Sequence, residues 1–117
     1  MQKQYRLSGS KTFNYIYKKG SSVATRQLVL ISAPSKFTLR VGVVVSKKVG
    51  NAVTRNKVRR RIKEAFRALI PLVEDKCNYI IVARTGIDAC NFRQINDSLV
   101  TALKRANKLK KSINGLA

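Results

Sequence analysis

At 117 residues the chain has room for one domain with a modest two-layer core, and too little for two. Its Lys and Arg total 25 against five Asp and Glu, a net charge of +20, and no acid precedes Glu64. Self-repulsion of that size opposes folding unless a polyanion neutralises it, which points to nucleic acid or an anionic membrane surface as partner and away from a small-molecule substrate.

The first ten residues, MQKQYRLSGS, carry basic side chains with no apolar signal core behind them, so the chain is expected to stay in the cytoplasm. Ser10 is placed to cap a first helix over 11–19, with Phe13, Ile16 and Tyr17 on one face and Gly20 closing it. The aliphatic run over 23–33 predicts a strand, Pro34-Ser35 a turn, and 38–46 a second strand whose VGVVV core suits burial on both faces. The longest apolar runs have strand length, which excludes a bilayer span.

A second helix is predicted over 52–70, stopped by Pro71. At about 100° per residue, Val58, Ile62, Ala65, Phe66 and Leu69 fall in one arc and form the core face. Asn56, Arg59, Arg60, Lys63 and Arg67 fall in a second arc centred about 120° away, a stripe of one sign. A solvated helix ordinarily interleaves acids to gain i,i+4 pairs. Glu64 is the only acid in this one.

The segment 77–84 reads as a further strand, followed by a loop. Asn91, with Gln94 three residues on, opens a last helix lined by Ile95, Leu99, Ala102, Leu103 and Ala106. A flexible basic tail is expected from about residue 108, within the single domain 1–117.

Catalysis by this chain alone is not expected. The five carboxylates lie on different elements, histidine is absent, and no G-x-x-x-x-G-K phosphate loop occurs. Cys77 and Cys90 are too few for a zinc site and are read as ordinary small residues. No catalytic residue and no metal ligand is therefore assigned. RNA is favoured over duplex DNA or lipid, because the stripe suits phosphate contact and the aromatics Phe13 and Tyr17 share a helix face that can stack on unpaired bases. The same spacing suits a core plug, and both readings of the pair stay open at this point. A membrane-surface helix would need the apolar face that must cover the sheet.

The stretch RVGVVVSKKVGNAVTRNKVRRRIKEAF, residues 40–66, resembles the signature of the protein subunit of bacterial ribonuclease P. That family carries an R-N-x-x-K-R-x-x-R pattern, matched by Arg55, Asn56, Arg59, Arg60 and Lys63, with Arg59 for Lys and Lys63 for Arg. Residues 6–30 and 79–84 extend the likeness in the same order. It implies an α+β fold, a single-domain α-β-β-β-α-β-α sandwich of a helix-flanked four-stranded sheet with a left-handed β-α-β crossover. The segment 23–33 then splits near Thr25-Arg26 to supply the extra strand. It also implies a role as RNA-binding subunit beside a large catalytic RNA that removes the 5′ leader of precursor tRNA, with Mg²⁺ held mainly by that RNA. By the same resemblance Lys47, Lys48, Arg55, Asn56, Arg59, Arg60, Lys63 and Arg67 face the catalytic RNA. Phe13, Tyr17, Val29, Ile31, Val44, Ser46 and Arg84 line a cleft for the leader, Ile31 standing where some family members have an aromatic. The alternative is a basic ribosomal or assembly protein that binds structured RNA with no processing role.

Overall fold

The computed structural model describes residues 3–110. After a short 3₁₀ turn at Lys3–Tyr5 come α1 (Ser10–Lys19), β1 (Ser21–Ala24), β2 (Leu28–Pro34), β3 (Arg40–Val44), α2 (Ala52–Leu69), β4 (Cys77–Ala83) and α3 (Phe92–Arg105). The sheet order is β1-β2-β4-β3. β1 with β2 and β2 with β4 are antiparallel, and β3 with β4 is parallel, joined by the crossover through α2. This is the expected α+β domain of four strands and three helices.

The aliphatic run divides where the turn chemistry sits. Thr25 accepts from the Leu28 amide through its hydroxyl at 3.2 Å, and its own amide donates to the Leu28 carbonyl at 2.8 Å. A threonine closing its own turn ends one strand and starts the next. Capping differs from expectation at α1: Ser10 lies inside the helix and Gly9 is the N-cap, with φ +95°, a conformation only glycine adopts without strain. The other helices start as predicted. Asn51 accepts from the Thr54 amide at 2.9 Å, and Asn91 and Gln94 form a reciprocal capping box. Pro71 falls in a 3₁₀ turn, Ile70–Leu72, that ends α2.

The sheet has two unequal faces. Leu28, Leu30, Val41, Tyr79 and Ile81 face α2 and α3, where they join Val58, Ile62, Phe66, Ile95, Leu99 and Leu103 in the main core. Ile80 and Ala33 face α1 and join Ile16 and Leu7 in a much smaller cluster. Strand alternation makes this division, since neighbouring residues along β4 must point to opposite faces.

The tail expected from about residue 108 does not leave the fold there. Asn107 takes the left-handed conformation, φ +60°, that commonly ends a helix, and the Lys108 amide returns to the Leu103 carbonyl at 2.9 Å. Leu109 then bridges Val73, with Glu74 N donating to Lys108 O and Lys110 N to Leu72 O. Backbone pairing holds 108–110 against the turn after α2, and the rest of the expected tail, 111–117, lies outside the described residues.

Candidate nucleic-acid interface

The basic stripe forms as the helical periodicity requires. Asn56, Arg59, Arg60, Lys63 and Arg67 line one shallow concavity along α2, with Glu64 at its rim. The opposite side of the helix, Val58, Ile62, Ala65, Phe66 and Leu69, is buried. Arg59 donates to Asn56 Oδ1 at 3.0 Å, which orients both side chains along the helix surface. Lys63 is held below its ordinary pKa by partial burial, then by the nearby charges of Arg6 and Arg59. A phosphate placed there would relieve the cationic repulsion. Arg55 stands apart from the stripe: its guanidinium donates to the Gly50 carbonyl at 3.1 Å and ties the loop before α2 to the helix.

Arg6 is a member of this basic surface that sequence reasoning missed. It bridges Val41 at the free edge of β3, and the Leu7 amide donates to Val41 O at 3.0 Å. No periodicity marks an isolated residue ahead of the first helix, so only the tertiary pairing brings it near Lys63.

The second group of predicted residues comes together on the α1 face. Phe13 packs over β3: a Cβ at Gly42 would stand 2.5 Å from its ring. The glycine in VGVVV therefore sets how closely α1 approaches the sheet, a reason for glycine inside a strand. The two aromatics differ in burial. Phe13 packs against the small cluster, whereas Tyr17 is 46% exposed beside it, the ring centroids 6.5 Å apart.

Beyond these rings the sheet is only partly covered. Val29 pairs with Val82, which pairs with Val44, and Ala24 pairs with Val29, so a row of small apolar side chains crosses all four strands. Val29, Val82 and Val44 are each half-buried, as is Ile31 in the next row, opposite Ile80. Val82 was missed because spacing within one strand reveals only that strand's face. It is the central member that brings Val29 and Val44 together, and the register alone shows it.

Ser46 lies past the end of β3, where its carbonyl accepts from the Val49 amide at 3.1 Å, so it extends the row from a turn and not from the strand. Lys47 and Lys48 are exposed on that turn, between the apolar row and the start of α2. Arg84, just past β4, is exposed and donates to the Thr25 carbonyl at 2.8 Å across the open end of the sheet. The arrangement can hold a phosphate backbone along α2 and offer unpaired bases an aromatic edge and an apolar floor.

Among the described residues no three His, Cys, Asp or Glu side chains gather in one place. Asp75 is engaged in the fold: it accepts from the Leu39 amide at 2.8 Å, and that backbone bond leads the causes holding its pKa below the usual carboxylate value. Cys77 is buried and Cys90 half-buried, and burial raises the Cys77 thiol pKa, so it stays a neutral packing group. No helix among the described residues is long and apolar enough to cross a membrane.

Comparison with known proteins places the sequence and the fold. The family model named Ribonuclease P matches residues 1–107. The ribonuclease P protein component of Shouchella clausii (strain KSM-K16) is 38% identical over 111 residues, covering 93% of this chain and 91% of that protein. The component of Brevibacillus brevis is 37% identical over 114 residues, covering 96% and 90%. A solved structure of the Staphylococcus aureus RNase P protein superposes with a TM-score of 0.83 at 39% identity, covering 91% of this chain and 98% of that one. The Thermotoga maritima RNase P protein gives 0.78 at 27% identity, covering 86% and 96%.

Proposed function

The chain belongs to the ribonuclease P protein family, and from that premise we propose that it holds the catalytic RNA along the α2 stripe and the 5′ leader of precursor tRNA on the half-open α1 face. The observation that carries this reading is the segregation of two surfaces of different chemistry. One is a row of cations with a single acid at its rim, and the other is an apolar row edged by an exposed tyrosine.

Each surface suits a different state of RNA. Arg59, Arg60, Lys63 and Arg67 meet phosphates and release counterions, a contact indifferent to base identity that fixes how the protein sits on a folded RNA. Tyr17 and the exposed edge of Phe13 stack on bases that are not paired, over the floor formed by Val29, Ile31, Val44 and Val82. Lys47 and Lys48 sit on the turn between the two surfaces, where cations meet the backbone of a strand passing from one to the other. Ser46 supplies a hydroxyl at that junction, and Arg84 a guanidinium at the other end of the row.

The chain's own groups do not perform the hydrolysis in this reading. Mg²⁺ supplies the activated water and charge neutralisation when bound, and the scattered carboxylates favour its being held by the RNA. The protein contributes binding energy that steadies the active RNA and selects substrates carrying a leader.

The test is cleavage of an end-labelled precursor tRNA by a bacterial ribonuclease P RNA at near-physiological Mg²⁺, with and without this protein. Leader release that requires both components, with tighter binding of precursor than of mature tRNA, is the expected result. Tight RNA binding with no stimulation and no preference for the leader would overturn it in favour of an assembly protein for structured RNA.

A further inference from the structure

A second aromatic site lies on the far side of α1 from the apolar row. Tyr15 and Phe37, 58% and 69% exposed, line a concavity of about 290 Å³ together with Leu7, Thr12, Lys36 and Arg40. Two large rings standing in water on so small a domain are an unfavourable use of surface unless something covers them.

The turn that carries Phe37 is held by hydrogen bonds on both sides. The Phe37 amide donates to Ser35 Oγ at 3.1 Å, the Ser35 amide to Lys76 O at 2.9 Å, and the Leu39 amide to Asp75 Oδ1 at 2.8 Å. Phe37 is thus presented outward by a braced turn, and its ring is available without local rearrangement. Tyr15 comes from a different element, α1, so two independent parts of the fold bring an aromatic to the same concavity.

The charges of the site name its occupant. Lys36 and Arg40 are exposed cations in the lining, which contains no acid. Aromatic faces beside cations suit a nucleotide whose base is unstacked from its own strand, the base against the rings and the phosphate on the cations. The site also continues the basic surface of α2. Arg6 lies near Lys63 and pairs with Val41, and the next residue, Leu7, lines the concavity beside Arg40.

We propose that this concavity receives an unpaired nucleotide of the same large RNA that docks on the α2 stripe, its base held by Tyr15 and Phe37 and its phosphate by Lys36 and Arg40. The inference rests on the stripe facing that RNA, and it adds a second, stacking anchor built on Tyr15 and Phe37, distinct from the Phe13 and Tyr17 pair.

The experiment is binding of the full chain to a bacterial ribonuclease P RNA across a salt series, followed by photo-cross-linking with 4-thiouridine placed in that RNA and, in a separate arm, in precursor tRNA. Phe37→Ala should weaken binding about tenfold, leave the slope of log affinity against log salt unchanged, and be rescued by Phe37→Tyr, because stacking releases no counterions. Cross-links should map to the peptides containing Tyr15 and Phe37. Unchanged affinity in Phe37→Ala while Arg60→Ala weakens binding would overturn this site and leave the stripe standing. Cross-links to these peptides formed only by precursor tRNA would overturn the assignment to the catalytic RNA. Failure of the unsubstituted protein to bind that RNA would overturn both readings.

Discussion

The two faces of the sheet are made from the same strands, alternate residue by alternate residue, yet they are finished differently. One lies under α2 and α3 and is closed: Leu30, Tyr79 and Ile81 have no solvent exposure. The other lies under the ten-residue α1, which covers Ile80 and Ala33 and leaves Val29, Val44 and Val82 half-buried. A fully covered sheet would be more stable by the burial of that row. Leaving it open keeps an apolar strip for a ligand whose own surface is flat and poorly hydrated, as a nucleobase is. In the proposed function, stability is concentrated on one side and binding on the other.

The contrast breaks first where it is most unequal. Phe66→Ala, on the closed side, should cost about 3–5 kcal/mol by the midpoint of urea unfolding. Tyr17→Ala, on the open side, should leave that midpoint nearly unchanged while weakening precursor tRNA by about 1–3 kcal/mol, measured with the catalytic RNA present. Comparable losses of stability in the two variants would mean that the α1 face is core after all.

Gly42→Ala sharpens the comparison from within the open side, because the added methyl meets the Phe13 ring and displaces it from its seat on β3. A stability loss of about 1–3 kcal/mol is expected, with weakened precursor binding and unchanged affinity for the catalytic RNA. An unaltered melting curve would show that the Phe13 ring is not seated on Gly42 as described.

Arg59→Ala with Arg60→Ala should do the reverse. Affinity for the catalytic RNA falls, the salt slope flattens by about one unit per residue, and unfolding is hardly affected. A slope that stays as steep would remove both arginines from the phosphate contacts.

The smallest effect concerns Asp75, whose folded-state pKa is depressed chiefly by the Leu39 amide. A depressed carboxylate stabilises the fold above its unfolded pKa, about 3.9, and that stabilisation disappears as pH falls through the lower, folded value. Asp75→Asn should be the less stable protein at neutral pH, and its deficit should shrink on acidification below about pH 4 in paired thermal melts. A constant gap across that range would separate Asp75 from the bracing of the Phe37 turn.

Legibility in the sequence follows the same division. The two sides of α2 could be read off because a helix repeats every 3.6 residues, so Val58 through Leu69 and Asn56 through Arg67 sort themselves by arithmetic. The open face could not. Val29 and Val44 are brought together through Val82 on an intervening strand, and no local pattern encodes that register. The family resemblance supplied both the extra strand and the membership of the proposed leader cleft. Ser10 misled because its residue type signals a cap while the backbone turns at Gly9. Arg6, Tyr15 and Phe37 carried no pattern, since each acquires its neighbours only when the chain closes.

The pairing of Arg6 and Leu7 with Val41 has a further consequence. An exposed strand edge is a template for another chain, and the danger grows when the sheet also carries bare apolar surface. Here the outer edge of β3 is occupied near its start, at Val41, by the protein's own N-terminal segment. The opposite edge, β1, is four residues long and mostly polar or small. A sheet finished this way leaves one face half-covered while both of its edges are made poor templates for pairing with another strand.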